Sequence, residues 1–381
     1  MKKWDKEGWL PQALEQAVRI VEGNIPVFYD HCQDPASTGG IYRQRPNDEW
    51  TTGFWVGQLW LAYEYTGRET FRDCALHQCR SFERRIREKI QVDHHDMGFL
   101  YTPSCVAAFK LTGDAQARSA ALAAADQLLS RFQEKGRFIQ AWGELGAAEN
   151  YRYIIDCMLN LPLLYWASET TNDPAYRQVA LAHTETCLRN SFREDGTVHH
   201  TFFLDPESGK PLYGRTWQGY RDDTVWARGM GWALYGTALA YRYNRDERFP
   251  ALFAKTLSAY CARLPEDQIP YWDLCFQSGN EPRDSSTAAI AACALLEMAE
   301  LLVQKREEYT RLAASMLETL YERYSVKKPV AGTGLLLHGT YSKKSPYNGC
   351  TENGVDECTS WGDYFYLEAL VRLAQPWQPY W

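Results

Sequence analysis

At 381 residues the chain exceeds the usual size of one domain, yet no Pro/Gly/Ser-rich linker or low-complexity stretch divides it, so residues 1–381 read as a single domain. A net charge of −7 without a basic run argues against nucleic acid and anionic membrane as partners. The opening Met1-Lys2-Lys3-Trp4-Asp5-Lys6-Glu7 lacks an apolar signal core, no apolar stretch reaches spanning length, and eleven scattered Cys without a C-x-x-C pair suit a reducing compartment, so a cytoplasmic protein is expected.

Apolar residues at helical spacing, bounded by caps and breakers, predict twelve helices: 9–29, 53–65, 69–90, 103–111, 115–133, 150–170, 174–193, 224–244, 247–264, 285–302, 306–325 and 360–374. The links after every second helix are tight: Thr66-Gly67-Arg68, Thr112-Gly113-Asp114, Thr171-Asn172-Asp173, Arg245-Asp246 and Val303-Gln304-Lys305. Links this short force antiparallel neighbours, so the helices pair as hairpins. The links 30–52, 91–102, 134–149, 194–223, 265–284 and 326–359 are longer. Hairpins stacked side by side place all short links on one face and all long links on the other. Six of them close into an all-α (α/α)6 toroid, a repeat of pattern without a strict sequence repeat. The even-numbered helices are apolar around much of their circumference, as in Gly53–Leu61 and Gly229–Ala240, whereas Arg80–Lys89 and Lys305–Glu322 carry charge. The even helices are therefore expected inside the ring, with their N-termini on the long-link face.

That face concentrates the chemistry. Of fourteen Trp and twenty-four Tyr, many fall in long links, including Trp50, Trp142, Trp217, Trp272 and Tyr347. Bulky rings fill any large toroid, but at the mouth they also form platforms for sugar faces. His94-His95-Asp96 and His199-His200 suggest a metal, yet adjacent His side chains diverge and no H-E-x-x-H frame supports one. No phosphate loop, dinucleotide fingerprint or Gly-x-Ser-x-Gly elbow is present, so neither cofactor nor metal is expected. Two carboxylates remain. Asp96 closes a long link, and Asp156 is placed in the first turns of the sixth predicted helix, within Ile154-Ile155-Asp156-Cys157-Met158-Leu159. A lone Asp among such neighbours is unfavourable unless paired or used. Asn160, one turn on, is expected to share its face and hydrogen-bond to it. Burial and a neighbouring Asp96 would raise the Asp156 pKa and keep it protonated near neutral pH, as a general acid requires.

The segments Asn47-Asp48-Glu49-Trp50-Thr51-Thr52-Gly53-Phe54-Trp55, His95-Asp96-Met97-Gly98-Phe99, Ile155-Asp156-Cys157-Met158, Trp226-Ala227-Arg228-Gly229-Met230-Gly231-Trp232 and Gly354-Val355-Asp356-Glu357-Cys358 resemble the unsaturated glucuronyl hydrolases, glycoside hydrolase family 88. The likeness spans nearly the whole chain in order, and that family adopts an (α/α)6 barrel. It implies hydration of the C4=C5 vinyl ether of a 4,5-unsaturated uronic acid, with Asp156 protonating C4 and Asp96 holding ring hydroxyls and tuning Asp156. By the same resemblance Trp50, His95, Trp142, His200, Gln218, Arg228 and Trp232 would line the site. Arg228 would grip a carboxylate or form an ion pair with Asp222 or Asp223. Ser342, Ser345 and Tyr347 are further expected contacts, the two hydroxyls suited to a sulfate, whereas Trp217 stands where members accepting sulfated disaccharides can place a basic residue.

The expected partner is a small oligosaccharide, and the chain a monomer or weak homodimer. The related unsaturated rhamnogalacturonyl hydrolases share the barrel. Sugar 2-epimerases of the N-acylglucosamine type share the toroid and would use His95 and His200 as an acid/base pair. A sugar-binding toroid without catalysis is the third alternative.

Overall fold

The computed structural model describes residues 8–381 and builds six antiparallel helix pairs closed into an (α/α)6 barrel. In order these are α1 (Trp9–Phe28), α2 (Gly53–Thr66), α3 (Glu69–Arg87), α4 (Met97–Tyr101, running through a π turn at Thr102–Val106 into Ala107–Thr112), α5 (Ala115–Leu129), α6 (Pro162–Thr171), α7 (Pro174–Asn190), α8 (Ala227–Asn244), α9 (Arg248–Cys261), α10 (Ser285–Leu301), α11 (Arg306–Thr319) and α12 (Ser360–Ala374). Four short links end their helix on a left-handed residue, Gly67, Gly113, Asn172 or Arg245, which stops the helix and reverses the chain. Asp114 and Asp173 then cap the next helix, accepting from the amides of Ala117 and Ala175. As the composition predicts, the even helices form the inner ring: every residue of α8 from Ala227 to Tyr241 is buried. Among the described residues, no helix is long and apolar enough to cross a membrane.

Two predicted helix starts move furthest, and both movements concern the carboxylates. The sixth helix does not begin at 150. Arg152–Ile154 is instead strand β1, Ile155–Leu159 is a 3-10 turn, and the helix starts at Pro162. Proline lacks the N–H and tolerates only the first helical turn, so Pro162 marks the true start, while the β-branched Ile154-Ile155 pair favours a strand. Asp156 therefore sits in a 3-10 turn. The fourth helix starts early, at Met97, because Pro103 is absorbed where the α pattern widens to a π turn. That puts Asp96 at the helix entrance, where its carbonyl accepts the amide of Leu100.

The long links also hold short strands, which helical periodicity does not register. β1 pairs with β2 (Thr201–Leu204) and β2 with β3 (Pro211–Arg215), all antiparallel. Farther on, Gly339–Ser342 and Asn353–Glu357 form a hairpin standing over the ring. Two glycines permit close approaches beneath these links. A Cβ on Gly53 would strike the carbonyls of Phe99 and Leu100, and one on Gly98 would strike the backbone of Asn160. The second contact brings the Asp96 and Asp156 segments together.

After α12 the chain folds back under the barrel. Trp381 is fully buried, stacked on Phe365 (centroids 5.7 Å apart, 18° between planes), and its Nε1 donates to Glu368 Oε2 at 2.8 Å. Its ring also meets Phe99 edge-on at 6.3 Å, below the site. Replacing Trp381 with Phe removes that hydrogen bond to a buried carboxylate, and thermal unfolding should report a loss of about 2 kcal/mol. An unchanged melting temperature would mean the tail is not part of the cooperative unit.

Candidate active site

The two carboxylates flank one imidazole. His95 Nε2 lies 3.3 Å from Asp96 Oδ1 and 3.6 Å from Asp156 Oδ1. The Asp96 side chain is 4% exposed and His95 1%, but Asp156 keeps 14%, so of the three it is the group open to an incoming molecule. Both ring nitrogens of His95, together with Asp156 Oδ1, are buried without an aligned hydrogen-bond partner from the protein. Polar atoms in that condition are rare in a settled fold and collect where a ligand completes them. Asn160 does not serve Asp156 as expected. Its Oδ1 accepts the Phe99 amide at 2.8 Å, and its Nδ2 donates at 3.4 Å to the Asp156 backbone carbonyl, not to its carboxyl, while also favouring the ionised form of the neighbouring Asp96. The reason is the 3-10 turn, which takes Asn160 off the Asp156 side-chain face.

Burial is the largest influence on both acids and raises both pKa values; the Asp96 charge raises Asp156 further. The pair is not symmetric. Asp96 is also raised by the Glu49 charge, but Arg131, Arg85 and the Asn160 amide favour its ionised form. Asp156 has the distant Arg228 and two backbone amides. Asp96 is pushed up to about 8 and Asp156 well above its usual range, so Asp96 is the first of the two to ionise and Asp156 keeps its proton near neutral pH. Burial holds His95 well below the usual range as well, so it stays a neutral imidazole.

His200 immediately precedes β2, its carbonyl accepting the Ile155 amide at 3.0 Å and its ring stacked on Trp226 with centroids 4.0 Å apart. Its Nδ1 accepts the Trp217 amide at 3.1 Å and lies 3.2 Å from Thr216 Oγ1, so the ring proton sits on Nε2. Burial, then the Arg228 charge, pushes its pKa down to about 3, leaving a neutral N–H donor. Trp50 forms a half-buried wall, stacked on Trp361 (5.3 Å, 25°) and donating from Nε1 to the Tyr341 hydroxyl at 2.9 Å. Gln218 Nε2 donates to the Tyr341 carbonyl at 3.1 Å. Trp142 is half-buried and lies flat on His94.

Several expected contacts sit elsewhere. Trp232 is 1% exposed and packs between Phe99 and Phe365 in the core, because the inner ring surrounds α8 on all sides. Arg228 pairs with neither Asp222 nor Asp223. Its Nη1 meets Asp284 Oδ2 at 2.6 Å and also donates to the Thr340 carbonyl, while Nη2 donates to the Tyr341 carbonyl, both at 2.6 Å. Asp284, at the start of α10, is brought beside it only by ring closure. The Ser342 hydroxyl donates to Thr351 O at 2.7 Å. The Ser345 hydroxyl donates to Tyr220 O and accepts the amides of Tyr347 and Asn348, so both serines hold the hairpin loop together. Tyr347 and Trp217 are exposed, 55% and 57%, on the rim.

Glu49 and Tyr341 escaped the sequence reading. Glu49 lay inside a quoted motif, but its proximity to Asp96 depends on how the 30–52 link folds; Tyr341 had no signal beyond being aromatic in a long link. Size does not locate the site either: a cavity of about 540 Å³ lined by Arg193, Asp195, His199, Asp222 and Cys275 includes none of these carboxyl or imidazole groups. His95, Asp96 and Asp156 each present one ligand atom, all within 4.8 Å of one another, a spacing compatible with a cation, although burial disfavours the doubly ionised pair that a divalent ion requires.

Residues 28–360 match the model of Glycosyl Hydrolase Family 88. The unsaturated chondroitin disaccharide hydrolase of Streptococcus agalactiae serotype III is 46% identical over 374 residues, covering 97% of this chain and 92% of the relative. The unsaturated glucuronyl hydrolase of Bacillus sp. (strain GL1) is 40% identical over 377 residues, covering 97% and 98%. The crystal structure of unsaturated glucuronyl hydrolase from Streptococcus agalactiae superposes with a TM-score of 0.94 at 46% identity, covering 98% of this chain and 94% of that one. With an (α/α)6 barrel, a paired carboxylate site and relatives matched from end to end, the chain belongs to Glycosyl Hydrolase Family 88.

Proposed function

We propose that the protein is a glycosidase that removes a 4,5-unsaturated uronic acid from the non-reducing end of lyase-generated oligosaccharides by hydrating its double bond. The streptococcal relative's name favours unsaturated chondroitin disaccharides as the substrate class. The observation that carries the reading is Asp156: a largely buried carboxyl, its pKa raised mainly by that burial, beside a second acid and still open to the site. Its proton goes to C4 of the vinyl ether, and positive charge develops at C5, shared with the ring oxygen. Water adds at C5 and returns a proton to the Asp156 carboxylate, which regenerates the acid. The resulting hemiketal opens, the glycosidic bond breaks, and the sugar leaves without a nucleophile at its anomeric carbon. The usual two-carboxylate scheme of glycoside hydrolysis is thus not needed.

Burial keeps Asp156 protonated, and any charge that Asp96 takes up raises the Asp156 pKa further. The His200 Nε2–H and the imidazole of His95 offer hydrogen bonds to ring hydroxyls or the uronate carboxyl, with Trp50, Trp142 and Gln218 as walls. Two imidazoles held neutral by burial are poorly suited to the alternating proton transfers of an epimerase. The committed hydroxyls of Ser342 and Ser345 and the exposed rings of Trp217 and Tyr347 favour a leaving sugar without sulfate. Eleven free cysteines, mostly buried, support a cytoplasmic protein, acting as a monomer or weak homodimer on small oligosaccharides.

The test is the ultraviolet absorbance of the conjugated double bond. Purified protein should bleach it in an unsaturated chondroitin disaccharide, faster than in an unsaturated rhamnogalacturonyl one, and exhaustive chelation should leave the rate unchanged. Release of sugar with the absorbance intact would indicate a conventional glycosidase. Loss of activity on chelation would turn His95, Asp96 and Asp156 into a metal site.

A further inference from the structure

His94 has no place in the chemistry just described, yet it is tied into the site on three sides. It is 2% exposed, and its ring lies on the Trp142 indole with centroids 4.3 Å apart and 6° between planes. Its Nε2 is 3.0 Å from the Gln91 carbonyl, which can only accept, so Nε2 carries the ring proton. The Nδ1 lone pair then faces Asp96, accepting its amide N–H at 3.1 Å and lying 3.2 Å from Oδ2. Gln91 reaches this position in a left-handed conformation, φ 45°, two residues after another at Lys89, φ 56°. Bulky residues rarely adopt this backbone, and it persists only where the surroundings demand it. On the other side, a cavity of about 330 Å³ bounded by Lys89, Val92, Asp93 and Gln127 reaches both His94 and Trp142. The indole therefore has space to move into if its backing ring is lost.

We propose that His94 is a positioning residue with two separable tasks: its Nδ1 orients Asp96 at the entrance of α4, and its ring face holds Trp142 upright as a wall for the saccharide. One imidazole thus couples the acid pair to the substrate wall. The inference rests on the function proposed above for its kinetic consequences, but not for its structural ones.

Two substitutions separate the tasks. His94→Phe keeps a flat ring against Trp142 and removes Nδ1, so kcat should fall about tenfold or more while KM stays within about twofold. His94→Asn places a side-chain oxygen near the Nδ1 position but leaves Trp142 without backing, so kcat should be largely rescued while KM rises about tenfold. Crystal structures of the two variants read the second task without reference to turnover: Trp142 should keep its place in His94→Phe and shift toward the cavity in His94→Asn. Equal changes in kcat and KM for both variants, or Trp142 unmoved in His94→Asn, would overturn the proposal. Failure of the unaltered protein to bleach any unsaturated uronide would instead overturn the proposed function, and the position of Trp142 would still decide this one.

Discussion

Replacing Asp156 with Asn should leave a folded protein that has lost turnover by about 10²–10⁴-fold, the usual contribution of a positioned acid–base group. The amide fills the same space in the 3-10 turn but can neither give the proton to C4 nor take one from water. Stability should move the other way. The folded pKa of Asp156 is raised well above 3.8, mainly by burial. A carboxyl raised in this way contributes most stability below its unfolded pKa, and that contribution is lost as pH rises toward the folded value. Asn does not titrate. The melting temperature of Asp156→Asn relative to wild type should therefore climb as pH rises from about 4 to about 7. Kinetics and thermal melts across that range check both halves. Retention of more than about a tenth of the wild-type rate would remove Asp156 from the acid role. A melting difference that is flat with pH would mean that Asp156 ionises freely in the fold.

Arg228→Met should be the most destabilising single change in the site. Arg228 and Asp284 are both buried, and Trp226 and Trp361 cover the guanidinium at 4.6 Å and 4.8 Å. Removing the cation strands the Asp284 carboxylate, for which about 3–5 kcal/mol is the usual loss, or about 4–6 °C in melting temperature for a chain of this length. It also frees the carbonyls of Thr340 and Tyr341, so the hairpin over the site loosens and activity falls with stability. Replacing Asp284 with Leu in the same protein removes the stranded charge and should recover much of the stability. A higher KM at an unchanged melting temperature would return Arg228 to the anion-holding role that the family resemblance implies.

The alternation of short and long links was visible in the sequence because helix caps and breakers are local: Gly67, Gly113 and Asn172 end their helices by their own backbone preferences. Inner and outer helices were legible because burial on all sides leaves its mark on composition. Asp156 stood out for a related reason, as an acid among apolar residues, and Asp96 as the acid that closes a long link. Their motifs also carried the family likeness.

What the sequence by itself determined was therefore the toroid and the two acids, Asp96 and Asp156, that its long-link face brings together. The tertiary structure decided which polar groups are free to act. Hydrogen bonds between distant segments commit Ser342, Ser345 and Arg228 to holding the hairpin in place, and closure of the ring buries Trp232 in the core. Likewise, only the approach of Gly98 to Asn160 sets Asp96 and Asp156 on either side of His95. A pKa follows from burial and from charges gathered across the whole chain, so the raised pKa of Asp156 could be expected from its neighbours in sequence but arises from its neighbours in space.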